Sequence, residues 1–369
     1  MKILRIFKYY NKEKLDMLEN TYMQSKQEAM LPKVAIIILN WNGWRDTIEC
    51  LESVFRIDYP NYQVIVCDNN STDGSMEYIK AWAEGRLDVF IPQSNPLRYL
   101  SFPPVPKPIP YIQYQRVEAE AGGFTEDDDK RLILIQNGEN LGFAGGNNIG
   151  LRYALKKEVE YVWLLNNDTV VEPNALIHMV YRMKQVPRAG ICGSTLLYYQ
   201  HPDKIWALGG TIYNKWLAIP RNIGLSKRLS WPVDLQKIEN CMDYVAGASM
   251  LVSRAFLKDV GFMSEEYFLY FEELDWAERA RGRFTLAYAP YSIVYHKVGS
   301  STDYYNKKLN NKSEYHYYKN KLVFTRKFFP WLLPTVYLGL IVSLFIQIFK
   351  QRWSKVWIII KIIINSFIK

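Results

Sequence analysis

A chain of 369 residues, 49% hydrophobic and 22% charged, can bury a full core as one large domain or two modest ones, and its composition excludes disordered and collagen-like classes. Its 46 Lys and Arg against 37 Asp and Glu leave a formal charge of +9, which favours anionic partners (nucleotides, phospholipid headgroups or nucleic acid) without choosing among them. An aromatic share of 15% suits half-wet surfaces such as sugar-stacking faces or a membrane headgroup layer. The four cysteines, Cys50, Cys67, Cys192 and Cys241, form no CxxC pair and no metal spacing, so reduced thiols of a cytosolic compartment are expected.

Residues 1–31 read as an N-terminal extension. Its first apolar run is broken by Lys2, Arg5 and Lys8 and is too short for a secretory signal; a basic arm on a membrane and a loosely ordered tail both fit. From Lys33 short β-branched runs alternate with amphipathic stretches. Strands are expected at 34–39, 63–66, 132–136, 161–165 and 189–199, and helices at 44–55, 74–85, 145–157 and 173–185. Strands separated by helical patterns mean βαβ units and a parallel sheet. The stretch 92–130 breaks the rhythm with seven prolines between 92 and 110, which disfavour a helix or central strand there. It reads as an inserted surface loop in a domain spanning 32–327.

Residues 328–349 hold 22 residues without a charge, enough to span a bilayer, although Pro330, Pro334 and Gln347 make the span marginal. The next segment sets Lys350, Arg352, Lys355 and Lys361 among Trp353, Trp357 and isoleucines, the mix of a helix lying in the interface. A buried core helix is the plainer reading of the apolar run. Together the two segments, 328–369, favour membrane attachment.

Acidic and amide residues cluster where strands end. CDNNSTDGS follows the run QVIV, and YVWLL delivers Asn166, Asn167 and Asp168. Glu272, Glu273 and Asp275 open a helix-like run, and YSIVYH ends on His296. Ligands of open parallel sheets bind at the carboxyl ends of strands, so these tips could face one crevice. Taken singly, each also fits a turn, a cap or a solvated acidic face. GFAGGNNIG at 142–150 precedes a helix and could bring its amides to a phosphate or ribose, or simply pack tightly on the sheet. It lacks the dinucleotide fingerprint, and there is no Walker lysine motif.

In this order, VAIIILNWNG, VIVCDNNSTDGS, NLGFAGGNNIGL, WLLNNDTVV, AGASMLVSR and YFEELDWAERARGRFTLAYAPYSIVYHKVGSS resemble the family 2 glycosyltransferases, in particular their rhamnosyltransferase-like branch, over about residues 32–302. The resemblance implies a GT-A fold (α/β, Rossmann-like, with a mostly parallel central sheet flanked by helices) and inverting transfer from a nucleotide diphosphate sugar, dTDP- or UDP-linked. It implies that Asp68 meets the pyrimidine base with Asn40 and Asn42 beside it, while Asp73 fixes the turn or approaches the ribose. Asn69, Asn140, Asn147 and Asn167 complete the donor side. Asp168, in NND where relatives carry DxD, would hold Mg²⁺ or Mn²⁺, with His296 as second ligand. Of the acidic triplet, Glu273 would be the general base.

For the neighbouring carboxylates the residues themselves suggest other work. Glu272 is expected to point away from Glu273 in an extended segment, so that its replacement by Gln costs stability more than turnover, and Asp275 to cap the helix. The acceptor would be a glycan or lipid-linked hydroxyl, met at the cytoplasmic face of the membrane. A sugar-nucleotide nucleotidyltransferase would need an early glycine-rich loop where this chain reads NWNGWRD, and a non-catalytic carbohydrate binder would not need the intact acidic triplet. Nucleic acid is not expected as a partner, because the basic residues are scattered or tied to the carboxyl end.

Overall fold

A computed structural model describes residues 31–124, 130–298 and 311–368. The expected N-terminal arm, residues 1–30, lies outside the described residues, as does 125–129. The chain opens with β1 (Val34–Asn40), α1 (Trp44–Val54), β2 (Tyr62–Asp68) and α2 (Ser75–Ala83). β3 (Tyr111–Gln115), α3 (Arg116–Ala121), β4 (Leu132–Gln136), α4 (Gly142–Lys156), β5 (Tyr161–Asn166), β6 (Thr169–Val171) and α5 (Ala175–Gln185) follow. Then come β7 (Ala189–Tyr198), β8 (Ile205–Leu208), β9 (Gly210–Asn214), β10 (Ile219–Asn222), α6 (Leu235–Cys241), β11 (Tyr244–Val245), β12 (Ser249–Ser253) and α7 (Arg254–Val260). α8 (Glu272–Ala280), β13 (Thr285–His296), α9 (Asn311–Phe328), α10 (Leu333–Phe349) and α11 (Trp353–Ile368) end it.

The main sheet runs β3-β4-β2-β1-β5-β12-β7-β13-β6, with β8 beside β7. Its first five strands are parallel throughout, β12 lies antiparallel between β5 and β7, and β13 is parallel to β7. The architecture is mixed α/β with a mostly parallel sheet, as the βαβ rhythm predicts. Strand residues alternate between two cores. Ile36, Ile38, Val64 and Val66 pack under α1, α2 and α5 through Leu51, Trp82 and Met179. Ala35, Ile37, Ile65 and Cys67 pack under α4, α7 and α8 through Ile149, Phe256 and Trp276. Burial on both faces is why these strands read as continuous apolar runs.

The stretch 92–130 is not a loose surface insertion. Its prolines are followed by β3, an edge strand paired in parallel with β4, and by α3, whose start carries a capping box formed by Gln115 and Glu118. The proline run itself is pinned by Glu52, which is fully buried and accepts hydrogen bonds from Trp82 Nε1, Val105 N and Lys107 Nζ, each at 2.8 Å. Proline forbids a central strand but tolerates an edge immediately after it.

The helix expected at 145–157 is α4, which starts earlier, at Gly142, so GFAGGNNIG lies inside it rather than before it. Its glycines serve close packing. A Cβ on Gly146 would sit 2.5 Å from Leu39 Cδ1, and one on Gly150 would sit 3.0 Å from Cys67 Sγ. Gly142, at φ +71°, leaves room for the Phe268 carbonyl, which a Cβ would meet at 2.1 Å.

The helices α9, α10 and α11 share a small core of Leu322, Val336, Leu340, Ile359 and Ile362, capped by Ala218 beside the β9–β10 hairpin. Residues Pro330–Phe349 are long and apolar enough to cross a membrane, and 17% of that stretch is buried. Trp331, Leu338, Val342, Phe345, Phe349, Trp353 and Trp357 are exposed.

Candidate active site

The carboxyl ends of β1, β2 and β5 gather the polar residues singled out in the sequence. Asp68 is 1% exposed, and its carboxylate is fully engaged. Oδ1 accepts from Asn40 Nδ2 and Ser71 Oγ, each at 2.6 Å, while Oδ2 accepts from Ser71 N at 2.9 Å and Gln136 Nε2 at 3.2 Å. A carboxylate with this many donors is a strong organiser of its loop. Asn42, at φ +50°, clamps the β1 loop to the same turn, its N donating to Ser71 Oγ and its Oδ1 accepting from Thr72 N. Asp73 is exposed and its Oδ1 accepts from Ser75 N and Ser75 Oγ. These bonds hold the turn that leads into α2.

The other asparagines tie elements together. Asn69 donates to the Gly142 carbonyl at 2.9 Å and accepts from Asn137, and Asn140 Oδ1 accepts from Gly142 N. Asn147 donates to the Phe143 carbonyl one turn back in α4. Asn167 donates to Thr47 Oγ1 at 3.1 Å, beside Gly43, where a Cβ would meet it at 2.8 Å.

Asp168 and His296, distant along the chain, meet where β6 pairs with the end of β13; His296 Nε2 lies 3.2 Å from Asp168 Oδ1. Trp206 sets its ring edge-on against His296 at 4.8 Å. The donor set is one carboxylate oxygen and one imidazole nitrogen at a separation that two neighbouring ligands of one small divalent ion would have. Among the described residues no group of three such side chains converges, so water or substrate oxygens would complete any coordination. Lys297 anchors this end of β13 to α1 through Asp46 at 2.6 Å and Glu49 at 2.5 Å. Burial lowers its pKa, but Glu49 and Asp46 outweigh that and raise it.

Glu272 and Glu273 are not in an extended segment. Both lie in the first turn of α8, which favours negative charge through the helix dipole. The turn is delivered by two consecutive non-glycine residues at positive φ, Tyr270 at +69° and Phe271 at +79°. Backbone of this kind costs on the order of 1–3 kcal/mol per residue and persists only where the surroundings hold it. Asn320 of α9, fully buried, does so by donating to the Leu269 and Tyr270 carbonyls at 2.9 and 3.0 Å.

Burial lifts the Glu273 carboxyl to about 7. Glu272 is raised well above the usual range by burial and then by Glu273, and its Oε2 has no hydrogen-bond partner among the described residues. Asp275 caps nothing. It is fully buried one turn into α8 and pairs with Arg279 and Lys327, each at 2.6 Å, which ties α8 to α9.

Glu273 shares an end of the sheet with Asp168. Its Oε1 would lie 2.0 Å from a Cβ on Gly247, and the next residue, Ala248, accepts the backbone N–H of Asn166 at 3.1 Å. A raised carboxylate, a carboxylate–imidazole pair and a cluster of buried amides therefore line one rim. Sequence reading missed Gly247 and Asn320; the first stands in the quoted AGASMLVSR but carries no signal of the contact, and the second is far along the chain from the loop it holds.

The sequence pattern described as Glycosyl transferase family 2 matches residues 35–102 and 116–247, more than half of the chain. The chain belongs to that family. The unmatched 103–115 takes in most of the proline run and β3. Over 153 residues the chain is 28% identical to the low-salt glycan biosynthesis hexosyltransferase Agl10 of Haloferax volcanii, a stretch covering 41% of this chain and 46% of that protein. The match thus spans less than half of that relative. Among solved structures, a mannosyltransferase from Pyrobaculum calidifontis, in complex with GDP-Man and Mn²⁺, is 14% identical, with 92% and 88% of the two chains covered and a TM-score of 0.48. TarS of S. aureus is 16% identical, with 79% and 39% covered and a TM-score of 0.41. Scores below 0.5 mark distant likeness only.

Proposed function

We propose that this family 2 protein is an inverting glycosyltransferase on a GT-A scaffold, moving a sugar, with rhamnose the first candidate, from a dTDP- or UDP-sugar to a hydroxyl of a glycan or lipid-linked acceptor. Such a reaction would serve cell-surface polysaccharide or glycoprotein glycan assembly at the cytoplasmic face of the membrane. The observation that carries the reading is Glu273, a carboxyl lifted to about 7 at the same sheet end as Asp168 and His296. A base matched to neutral pH is what abstraction of a hydroxyl proton needs.

In this reading Glu273 takes the acceptor proton as the hydroxyl oxygen bonds to the anomeric carbon, and the bond to the diphosphate breaks on the opposite face with its electron pair. The loops ordered by Asp68, Asn40 and Asn42 hold the nucleoside. Asp168 and His296 would hold a divalent cation, which supplies charge for the departing diphosphate. The buried glutamate pair disfavours the binder reading, since a carbohydrate-binding protein gains nothing from a carboxylate held out of its ordinary range.

The test is a panel of dTDP-, UDP- and GDP-sugars assayed for hydrolysis without acceptor, with and without chelator, on wild type and Asp168→Ala. Turnover that requires both the metal and Asp168 is expected. Full activity in excess chelator overturns the metal role, and pyrophosphate release from a nucleoside triphosphate and a sugar phosphate would make the protein a nucleotidyltransferase.

A further inference from the structure

Lys321 is 7% exposed, and its Nζ lies 4.5 Å from the Tyr317 ring centroid and 5.9 Å from that of Tyr318. Burial holds its pKa down at about 8, and among the described residues no carboxylate pairs with it. Buried lysines ordinarily have a partner, because removing an ammonium from water without one is costly; two ring faces compensate only in part. This cation lies outside the machinery described so far.

Its position is informative. Tyr317, Asn320, Lys321 and Phe324 recur at the three- and four-residue spacing of one helix face. Asn320 holds the loop that delivers the glutamates, Phe324 packs on Phe271 at 5.8 Å, and Tyr317 packs on Tyr270 and Phe271 at 6.0 and 6.1 Å. Tyr244 and Tyr317 pack on one cluster with Phe271, Leu274 and Phe324, and Leu274 directly follows Glu273, so the aromatic platform beside Lys321 lies against the turn that carries the base. The next residue, Leu322, belongs to the core shared with α10 and α11. Lys321 thus stands between the general base and the apolar helices.

We propose that Lys321 binds an anionic phosphate of the acceptor, so that the acceptor is a phosphorylated lipid-linked glycan with its hydroxyl at Glu273, its phosphate at Lys321 and its chain along α10 and α11. The inference rests on the transferase reading and narrows its acceptor class. Phosphate recognition by a partly desolvated ammonium is strong because the ion pair is charge-assisted and less screened than one in open water.

The experiment measures binding of decyl diphosphate and of neutral decyl glucoside, below their micellar concentrations, to full-length wild type, Lys321→Met and Lys321→Arg. Lys321→Met is expected to weaken decyl diphosphate about tenfold or more and to leave decyl glucoside unchanged, while Lys321→Arg keeps most of the affinity. Equal loss for both probes, or none for the diphosphate, overturns the proposal. Should Lys321→Met not fold, wild type alone decides, since the proposal fails if the diphosphate binds no tighter than the glucoside. Phosphatidylglycerol and phosphatidylcholine vesicles form a further arm, and loss of phosphatidylglycerol binding by Lys321→Met without loss of decyl diphosphate binding would assign the lysine to membrane headgroups and sink the acceptor role. Donor hydrolysis without acceptor is read separately, so failure of the transferase reading is distinguishable from failure of this one.

Discussion

Adjacent glutamates with the same backbone support have different expected fates. Replacing Glu273 with Gln keeps size and hydrogen bonding but removes basicity, so kcat should fall on the order of 10²-fold or more with donor affinity nearly unchanged. Because burial sets Glu273 at about 7, the wild-type rate should climb with pH through about 7, and that limb should vanish in Glu273→Gln; a pH–rate profile checks both. From the sequence Glu272→Gln is expected to cost stability; the burial of Glu272, with Oε2 unpartnered among the described residues, argues for the opposite sign at neutral pH. A carboxyl raised on folding binds its proton more tightly in the native state than in the unfolded chain, where it titrates near 4.3, so native stability falls as pH rises above that value. Glu272 is such a group. Glu272→Gln removes the buried group that would have to ionise, so it should match wild type in urea titrations near pH 4 and become increasingly more stable than wild type toward pH 8.

At the scale of elements, α4 shows how sequence and structure diverge. The helix expected at 145–157 begins at Gly142; four glycines in nine residues each disfavour helix by about 1 kcal/mol relative to alanine, yet here they let it lie against β1 and β2. Gly146→Ala gains helix propensity and loses fit. Its Cβ would be 2.5 Å from Leu39 Cδ1 and 2.6 Å from Asn69 Oδ1, and Asn69 is held by Gly142 and Asn137. A net loss of about 1–3 kcal/mol in chemical denaturation is expected, as for other overpacked sites. The strands were legible because burial on both faces writes itself as apolar runs. The polar clusters were legible because they end those runs. The helix-like run opening at Glu272 was legible, but the turn that delivers it was hidden, since nothing local marks Tyr270 and Phe271 for positive φ and their support comes from α9. The strand β3 was hidden by the prolines that precede it.

At the scale of the molecule, the exposed apolar side chains of α10 and α11 set its expected partition. Full-length protein should sediment with membranes at physiological salt. Leu338→Asp with Val342→Asp places two charges at positions that are 62% and 51% exposed, so the core shared with α9 should survive. Each charge near a bilayer centre costs about 2.5–3.5 kcal/mol, and the double variant should move to the soluble fraction with nucleotide binding intact. The opposite flank carries a different hazard. β3 forms the margin of the main sheet, and among the described residues no strand pairs its outer side. Its sequence YIQYQ is uncharged and β-prone, a template for strand addition by other copies. Pro106, Pro108 and Pro110 before it and the charge-rich turn of Arg116, Glu118 and Glu120 after it confine that edge to five residues. Replacing the three prolines with threonine should therefore leave the monomer's reaction intact yet raise light scattering in concentrated samples, making the proline run a guard against self-assembly.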